Sequence, residues 1–439
     1  MMLSECLRVP ALRNRPPALK AVTYILFILT TGYAFGLAAQ GVAQDGTLLG
    51  ERPYSFPDYA QAYGYTRFDG SQDTIEKYWT KAEYESAVDD QRFEFQKLLY
   101  ASDGLSVVAY VYKPREITTA LPTIVFNRGS GVHKDIAPVL VPYFHRLAQQ
   151  GFVIVAPMYR QSDGGEGIDG NGGDDLADLL NIQALIESLP YADANNIFMT
   201  GESRGAMMVY QAIREGFPMR AAAVWGGFTD LQPLIDAQPM MFEYAKNNWP
   251  GFTEENLQAE IEKRSAVYWA EQINVPVLLM HGESDGSIPV GHTYELATRL
   301  QDNHRMYSLI VYADDNHILS RSQEERDRAT VKWFRNFDSA ADAKRKNYLT
   351  TLASEDEIND VGYSLLRRGR LDEAITVLVI GTQRFPKSAN SHDSLGEAQA
   401  YAGDTQAAIS SYSKALALST DEADLERVRT ILADLNGPQ

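Results

Sequence analysis

The pentapeptide from Gly201 to Gly205, which reads Gly-Glu-Ser-Arg-Gly, is the feature that most restricts how this chain can fold. The apolar run Ile197 to Met199 leads into it and a helical pattern follows it, so the chain must turn sharply from a strand into a helix. Gly201 and Gly205 carry no side chains that would collide with neighbouring backbone in so tight a turn. The turn therefore presents the hydroxyl of Ser203 at the end of a strand, where it can act as a nucleophile.

A serine nucleophile needs a base within hydrogen-bond reach and a third group that orients the base. The apolar run Val275 to Met280 predicts a buried strand, and Asp285 lies in the turn-rich loop that follows it. The next apolar run, Met306 to Tyr312, is followed by a loop that contains His317. The order Ser203, Asp285, His317 predicts a catalytic triad of nucleophile, orienting acid and base.

The other histidines are weaker candidates for the base. His281 closes the strand before Asp285, and we interpret it as a structural residue that hydrogen-bonds to hold the Asp285 loop. A solvated or structurally satisfied role is expected for the rest, which are His133, His145, His292, His304 and His392.

The residues around this triad resemble the catalytic domain of the prolyl oligopeptidase family of serine peptidases, a branch of the α/β-hydrolases. The resemblance covers roughly Phe93 to Phe337. Besides the pentapeptide, it rests on three stretches: Ser102 to Leu105 before a strand ending in Tyr112-Lys113-Pro114, Arg264 to Trp269, and His281 to Pro289. It implies a serine hydrolase in which Ser203, Asp285 and His317 take the triad roles, with no cofactor and no metal.

The oxyanion that forms on attack needs preorganised hydrogen-bond donors. The backbone N–H of Arg204, the residue after the nucleophile, is one such donor. The second is expected from the loop after the strand Leu121 to Phe126, where relatives usually carry a Gly-Gly-Pro-like turn and this chain has Asn-Arg-Gly-Ser-Gly. We place it at Arg128 or Gly129, and the sequence leaves the donor atom open.

Strand-like and helical patterns alternate between Leu121 and Asp338, which predicts an α/β fold with a mostly parallel sheet covered by helices. We place the hydrolase domain at residues 45–338. The strand-like runs include Gly151 to Met158 and Ala221 to Trp225, and the helical patterns include Asp174 to Leu189 and Glu324 to Phe334. Relatives often place a β-propeller before the hydrolase domain, and the stretch from Asp45 to Phe93 is too short for one.

Two stretches interrupt this alternation. The glycine-rich segment 163–175 has the composition of a calcium loop but lacks the EF-hand spacing and its closing Glu, so we predict a mobile loop without a metal. The second stretch, residues 230–272, is a lid-like insertion. Its apolar residues, among them Met240, Met241, Phe242, Tyr244, Trp249 and Phe252, either line a substrate pocket or pack the insertion onto the body.

Residues 1–43 have the pattern of a signal peptide or membrane anchor. Basic residues from Arg8 to Lys20 precede the apolar stretch 21–39, and Gly41-Val42-Ala43 offers small residues for cleavage. We expect export to the periplasm or medium, with an uncleaved anchor in residues 21–39 as the alternative. Cleavage would remove Cys6, the single cysteine of the chain. The net charge of −18 makes nucleic acid and anionic membranes poor partners.

The C-terminal segment, residues 350–437, repeats a helix-turn-helix pattern with a period of about 34 residues. Gly362, Gly369 and Ala374 recur as Gly396, Gly403 and Ala408, which resembles the tetratricopeptide repeat. Such an array serves either as a groove for a protein partner or as an appendage packed on the hydrolase.

The whole sequence thus predicts an exported serine hydrolase, most simply a peptidase acting on short peptides or aminoacyl amides. A carboxylesterase, with an ester as substrate, is the enzymatic alternative because the same triad cleaves both bonds. The alternative outside enzymes is a scaffold that binds a partner through the repeats.

Overall fold

The computed structural model describes residues 43–66, 71–131, 134–237, 239–340, 354–367 and 369–437. The predicted leader, residues 1–43, lies outside these ranges except for Ala43. In the described part of the chain, no helix combines the length and apolarity needed to cross a membrane.

A nine-stranded sheet forms the centre of the fold, with the strand order β1-β4-β5-β7-β6-β8-β9-β10-β11. Its strands are β1 (Leu48–Pro53), β4 (Phe93–Ser102), β5 (Leu105–Pro114), β6 (Leu121–Asn127), β7 (Val153–Pro157), β8 (Ala192–Glu202), β9 (Ala221–Trp225), β10 (Val277–Gly282) and β11 (Tyr307–Tyr312). The six strands from β7 to β11 in this order are parallel to one another, whereas β1, β4 and β5 pair antiparallel. A separate hairpin pairs β2 (Tyr63–Thr66) with β3 (Gln72–Thr74).

Helices cover both faces of the sheet. They are α1 (Lys81–Val88), α2 (Ala137–Ala148), α3 (Leu176–Ser188), α4 (Arg204–Arg214), α5 (Gln232–Ala237), α6 (Pro239–Asn248), α7 (Leu257–Arg264), α8 (Gly291–Asp302) and α9 (Gln323–Arg335). Short 3-10 turns lie at Tyr59–Gln61, Ile75–Lys77, Ser162–Gly164, Ala266–Tyr268 and Ala270–Gln272. The predicted α/β architecture, a mostly parallel sheet covered by helices, is confirmed.

Two hydrophobic cores lie on opposite faces of the sheet, because successive side chains of a strand point to opposite sides. In β7, Val153 and Val155 belong to the core beneath α3, α4 and α8, whereas Ile154 and Ala156 belong to the core beneath α2 and α9. Both faces of β7 are therefore apolar, as expected for a central strand of a mostly parallel sheet.

The C-terminal helical region consists of five described helices, at Glu355–Leu366, Leu371–Arg384, Ala389–Tyr401, Thr405–Leu418 and Glu422–Asn436. The first two pairs are related by the repeat seen in the sequence. A Cβ atom at Gly362 would lie 2.6 Å from Leu378, and one at Gly396 would lie 3.0 Å from Tyr412. Glycine at the repeated position thus lets the two helices of each pair approach closely.

The C-terminal helical region contacts the hydrolase body through the loop before β11. Gly369 has φ +68°, and a Cβ atom there would lie 2.5 Å from the carbonyl oxygen of His304. The His304 ring meets Tyr401 edge-on at 5.9 Å, and the Arg370 guanidinium lies 5.3 Å from the centre of the Phe337 ring. These contacts dock the region against the body.

Candidate active site

Ser203 occupies a strained turn between β8 and α4. Its backbone has φ 54° and ψ −120°, a conformation that costs a non-glycine residue roughly 1–3 kcal/mol. The flanking glycines make the turn possible: a Cβ atom at Gly201 would lie 2.4 Å from the carbonyl oxygen of Gly205, and one at Gly205 would lie 2.1 Å from that of Asn127. The Ser203 N–H donates to the carbonyl of Trp225 at 2.9 Å, which ties the turn to β9.

Asp285 and His317 come from the loops after β10 and β11, two neighbouring parallel strands whose carboxyl ends share one edge of the sheet. These loops pack tightly, because a Cβ atom at Gly282 would lie 2.5 Å from the carbonyl oxygens of Asp315 and Asn316. His317 Nδ1 lies 2.7 Å from Asp285 Oδ2. An ionised carboxylate at this distance fixes the Nδ1–H tautomer and leaves Nε2 as the basic nitrogen.

Asp285 is held as a carboxylate by several donors. Burial alone would raise its pKa, but hydrogen bonds from His281 and His317 and the N–H of Ile288 outweigh burial and lower the pKa below its ordinary value. His281 Nε2 lies 3.1 Å from Asp285 Oδ2 and 2.8 Å from the carbonyl oxygen of Ile288. His281 therefore holds the Asp285 loop, as predicted from the sequence.

Gly226 lies between the Ser203 turn and His317. It follows Trp225, to which Ser203 is hydrogen-bonded, and has φ +57°. A Cβ atom at Gly226 would lie 3.2 Å from His317 Nδ1. Sequence reasoning missed this residue, although the Gly226-Gly227 pair directly after a predicted strand was a signal of close backbone approach.

The two residues predicted to supply oxyanion donors, Arg204 and Gly129, both lie next to Ser203. Arg204 is the first residue of α4, so its N–H has no acceptor within the helix, and the helix N-terminus favours negative charge. Gly129 lies beside Ser203, since a Cβ atom at Gly129 would be 3.8 Å from Ser203 Cβ. The Arg128 guanidinium is turned away and bonds the carbonyl oxygens of Gly129 at 2.9 Å and Met158 at 2.7 Å. Arg128 and Gly129 could therefore supply a donor only through their main-chain amides.

The glycine-rich segment 163–175 differs from the predicted mobile loop. Asp175 is fully buried and accepts the N–H groups of Gly170, Gly172 and Gly173 at 2.9–3.1 Å. The Arg264 guanidinium bonds the carbonyl oxygens of Gly170 and Asn171 at 3.0 and 2.9 Å. Asp175, within the segment, and Arg264, from the insertion 230–272, therefore fix this backbone, and composition alone gave no signal of either contact.

The insertion 230–272 packs mainly onto the body. Trp249 and Phe252 are buried and lie against the Arg264 guanidinium, at 5.1 and 5.9 Å from their ring centres. Phe242 and Tyr244 are partly buried against the same core, whereas Met240 is 80% exposed. Of the two roles that the sequence left open, Trp249 and Phe252 therefore have the second: they pack the insertion onto the body.

A cavity of about 40 Å³ lies beside the site on the α2 and α9 face of the sheet. Glu202 and Ile318, the sequence neighbours of Ser203 and His317, lie at its edge. Its remaining lining is largely aromatic and aliphatic: Tyr78, Trp79, Phe126, Val139, Leu140, Tyr143, Trp225, Gln323 and Arg326. This position makes the cavity a candidate for substrate contacts.

The sequence of this part of the chain is similar to known peptidases. Residues 142–339 match the Prolyl oligopeptidase family. The uncharacterized peptidase YtmA of Bacillus subtilis (strain 168) is 28% identical over 248 residues, which are 56% of this chain and 95% of YtmA. The acylamino-acid-releasing enzyme of Rattus norvegicus is 25% identical over 227 residues, which are 48% of this chain and 30% of that enzyme.

Among solved structures, the acylaminoacyl peptidase of Pyrococcus horikoshii aligns with a TM-score of 0.49 and 20% identity over 57% of this chain and 42% of that one. The chain thus spans well under half the length of the acylaminoacyl peptidases that it matches. The sequence similarity to peptidases of the prolyl oligopeptidase type supports a serine hydrolase.

Proposed function

We propose that this protein is an exported serine peptidase that cleaves short peptides or aminoacyl amides through an acyl-enzyme. In the first step the Ser203 hydroxyl oxygen attacks the carbonyl carbon while His317 Nε2 takes its proton. The tetrahedral intermediate collapses, the C–N bond breaks, and His317 returns the proton to the leaving amine. Water then attacks the ester to Ser203 by the same route, releasing the acid.

The hydrogen bond of 2.7 Å between His317 and Asp285 is the observation that carries this proposal. It orients the imidazole so that Nε2 is the free basic nitrogen, and Gly226 places that ring next to the Ser203 turn. The backbone N–H groups of Arg204 and Gly129 would bind the oxyanion. Each of the three proposed triad residues therefore has a distinct role that its surroundings support.

Substrate size cannot be gated by a propeller in the described part of the chain. The segment between residues 43 and 93, where relatives often have a propeller, forms one edge strand, a short hairpin and α1 in its described part. A peptidase is favoured over an esterase because YtmA, which is similar over 95% of its own length, is named as a peptidase. Export is proposed from the leader pattern of residues 1–43 alone.

The C-terminal helical region is proposed to be an array of tetratricopeptide type docked on the hydrolase body. Its repeated glycines and the Gly369 contact with His304 support this proposal. Two helix pairs are fewer than an independent array usually needs, so contact with the body supplies the missing packing surface.

A substrate panel tests the proposed activity. Short aminoacyl and peptidyl arylamides are compared with short-chain aryl esters, with Ser203→Ala as the blank. Amides are the harder test because His317 must protonate a poor leaving group. We expect Ser203-dependent cleavage of at least one amide. Ester turnover with no amide cleavage would replace the peptidase with an esterase, and no Ser203-dependent turnover at all would favour the scaffold.

A further inference from the structure

A buried carboxylate bridges the two arginines that flank the proposed oxyanion donors. Asp169 Oδ1 and Oδ2 accept hydrogen bonds from Arg204 at 2.7 and 2.8 Å, and Oδ2 also accepts one from Arg128 at 3.3 Å. All three side chains are at least nine-tenths buried. Arg204 supplies one proposed donor through its own N–H, and Arg128 directly precedes Gly129, which supplies the other.

Tyr159 reinforces the bridge. The guanidinium groups of Arg128 and Arg204 lie 4.9 and 4.7 Å from the centre of its ring. The Tyr159 hydroxyl donates to Asn127 Oδ1 at 2.9 Å, at the end of β6 where the Arg128 loop begins. The loop after β6 and the start of α4 are thus connected through one set of buried side chains.

Charge balance in this set depends on Asp169. The four charged side chains form a neutral group, because the guanidinium groups of Arg128 and Arg204 are balanced by the carboxylates of Asp169 and Asp175. Asp175 belongs to this group because it also bonds Arg204. Burial and the neighbouring Arg204 lower the pKa of Arg128, while Asp169 counteracts both. Without the Asp169 charge, two buried cations would remain with only Asp175, which bonds Arg204, to balance them, and their repulsion would separate the segments that carry them.

We infer that Asp169 is a positioning residue that sets the spacing between the two oxyanion donors, the N–H groups of Gly129 and Arg204. This inference rests on the proposed function. Asp169 acts through Arg128 and Arg204, by fixing the Arg128 loop relative to the start of α4. The glycine-rich segment 163–175 is thereby a support for the active site.

The test compares Asp169→Asn with wild type on an activated aminoacyl ester, with Ser203→Ala as the blank. Because displacing or removing an oxyanion donor costs on the order of 100-fold in rate, kcat should fall by about 100-fold while KM changes little. The inhibition constant of a peptidyl boronic acid, which mimics the tetrahedral intermediate, should rise by a similar factor. A structural role alone would lower the melting temperature without moving the boronate affinity of the folded enzyme.

Asp178→Asn is the matched control. Asp178 is an equally buried carboxylate that bonds Arg160 at 2.9 and 3.0 Å, and it contacts neither proposed donor segment. We expect it to lose stability with kcat within a few-fold of wild type. Equal kcat losses in both variants, or an unchanged kcat in Asp169→Asn, would overturn the inference.

If Asp169→Asn does not fold, the double variant Asp169→Asn with Arg204→Gln replaces it in the test. The double variant removes one charge of each sign, and it keeps the main-chain N–H at position 204. Its kcat should fall by about 100-fold relative to wild type, because both substitutions break the same bridge between the donor segments. A double variant with wild-type kcat would contradict the inference. If wild type shows no Ser203-dependent turnover, the proposed function is overturned. If wild type is active but the Asp169 variants lack the expected loss of kcat, only the inference about Asp169 is overturned.

Discussion

Gly226 lies so close to His317 that a Cβ atom at this position would come within 3.2 Å of Nδ1 and 2.8 Å of the His317 carbonyl oxygen. The residue before it, Trp225, accepts the N–H of Ser203 at 2.9 Å. Gly226, which follows β9, therefore lies between the proposed nucleophile and the proposed base, and it has no side chain to keep them apart.

Gly226→Ala should displace His317 and lower kcat by on the order of 100-fold, the effect expected of a catalytic group misplaced by about 1 Å. Gly216→Ala is its control, because Gly216 also has a positive φ, +77°, but a Cβ atom there meets nothing within 4 Å. Both variants should lose roughly 1–2 kcal/mol of stability to left-handed backbone strain. Comparable kcat in the two variants would show that the contact with His317 has no catalytic importance.

The lowered pKa of Asp285 predicts how its contribution to stability depends on pH. Its carboxyl binds a proton less readily in the folded state than in the unfolded state, where the pKa is about 3.9. The stabilisation is therefore complete above about pH 4 and is lost as the pH falls through the folded-state value. Unfolding by urea should show Asp285→Asn less stable than wild type at pH 7, with the difference shrinking below about pH 4. A difference that grows on acidification would contradict this assignment.

The repeated glycines of the C-terminal helical region offer a test of docking. Gly369 and Gly403 occupy equivalent positions with φ of +68° and +80°, but only Gly369 touches the hydrolase body, at His304. Alanine at either position should add similar backbone strain. Gly369→Ala should also weaken docking, and so give the larger drop in melting temperature and faster proteolysis between the body and the helices. Equal melting and proteolysis would argue that the region is not docked through this turn.

Much of the fold was predictable because its core strands are continuous apolar runs. The run Ala221 to Trp225 is the observed β9, and Asp174 to Leu189 brackets the observed α3, Leu176–Ser188. Ser203, Asp285 and His317 each follow such a run, so their approach to one sheet edge follows from parallel strand order. The turn chemistry of Gly201 and Gly205 likewise predicts a strained Ser203.

The buried side chains that hold the proposed oxyanion segments could not be predicted, because they are far apart in the sequence and follow no periodic pattern. Asp169 bonds Arg204 and Arg128, which lie 35 and 41 residues away. Glycine and aspartate are typical of mobile loops when read locally. Only the tertiary fold shows that Asp169 pairs with these buried arginines.

The most direct measurement of the central claim, that Ser203 is the nucleophile of a serine hydrolase, is labelling of the full protein with a fluorophosphonate followed by mapping of the modified peptide. We expect one adduct, on Ser203, that is absent from Ser203→Ala, and a loss of turnover of roughly a million-fold in that variant with the fold intact. An adduct on another residue, no adduct, or near-wild-type turnover in Ser203→Ala would contradict the assignment.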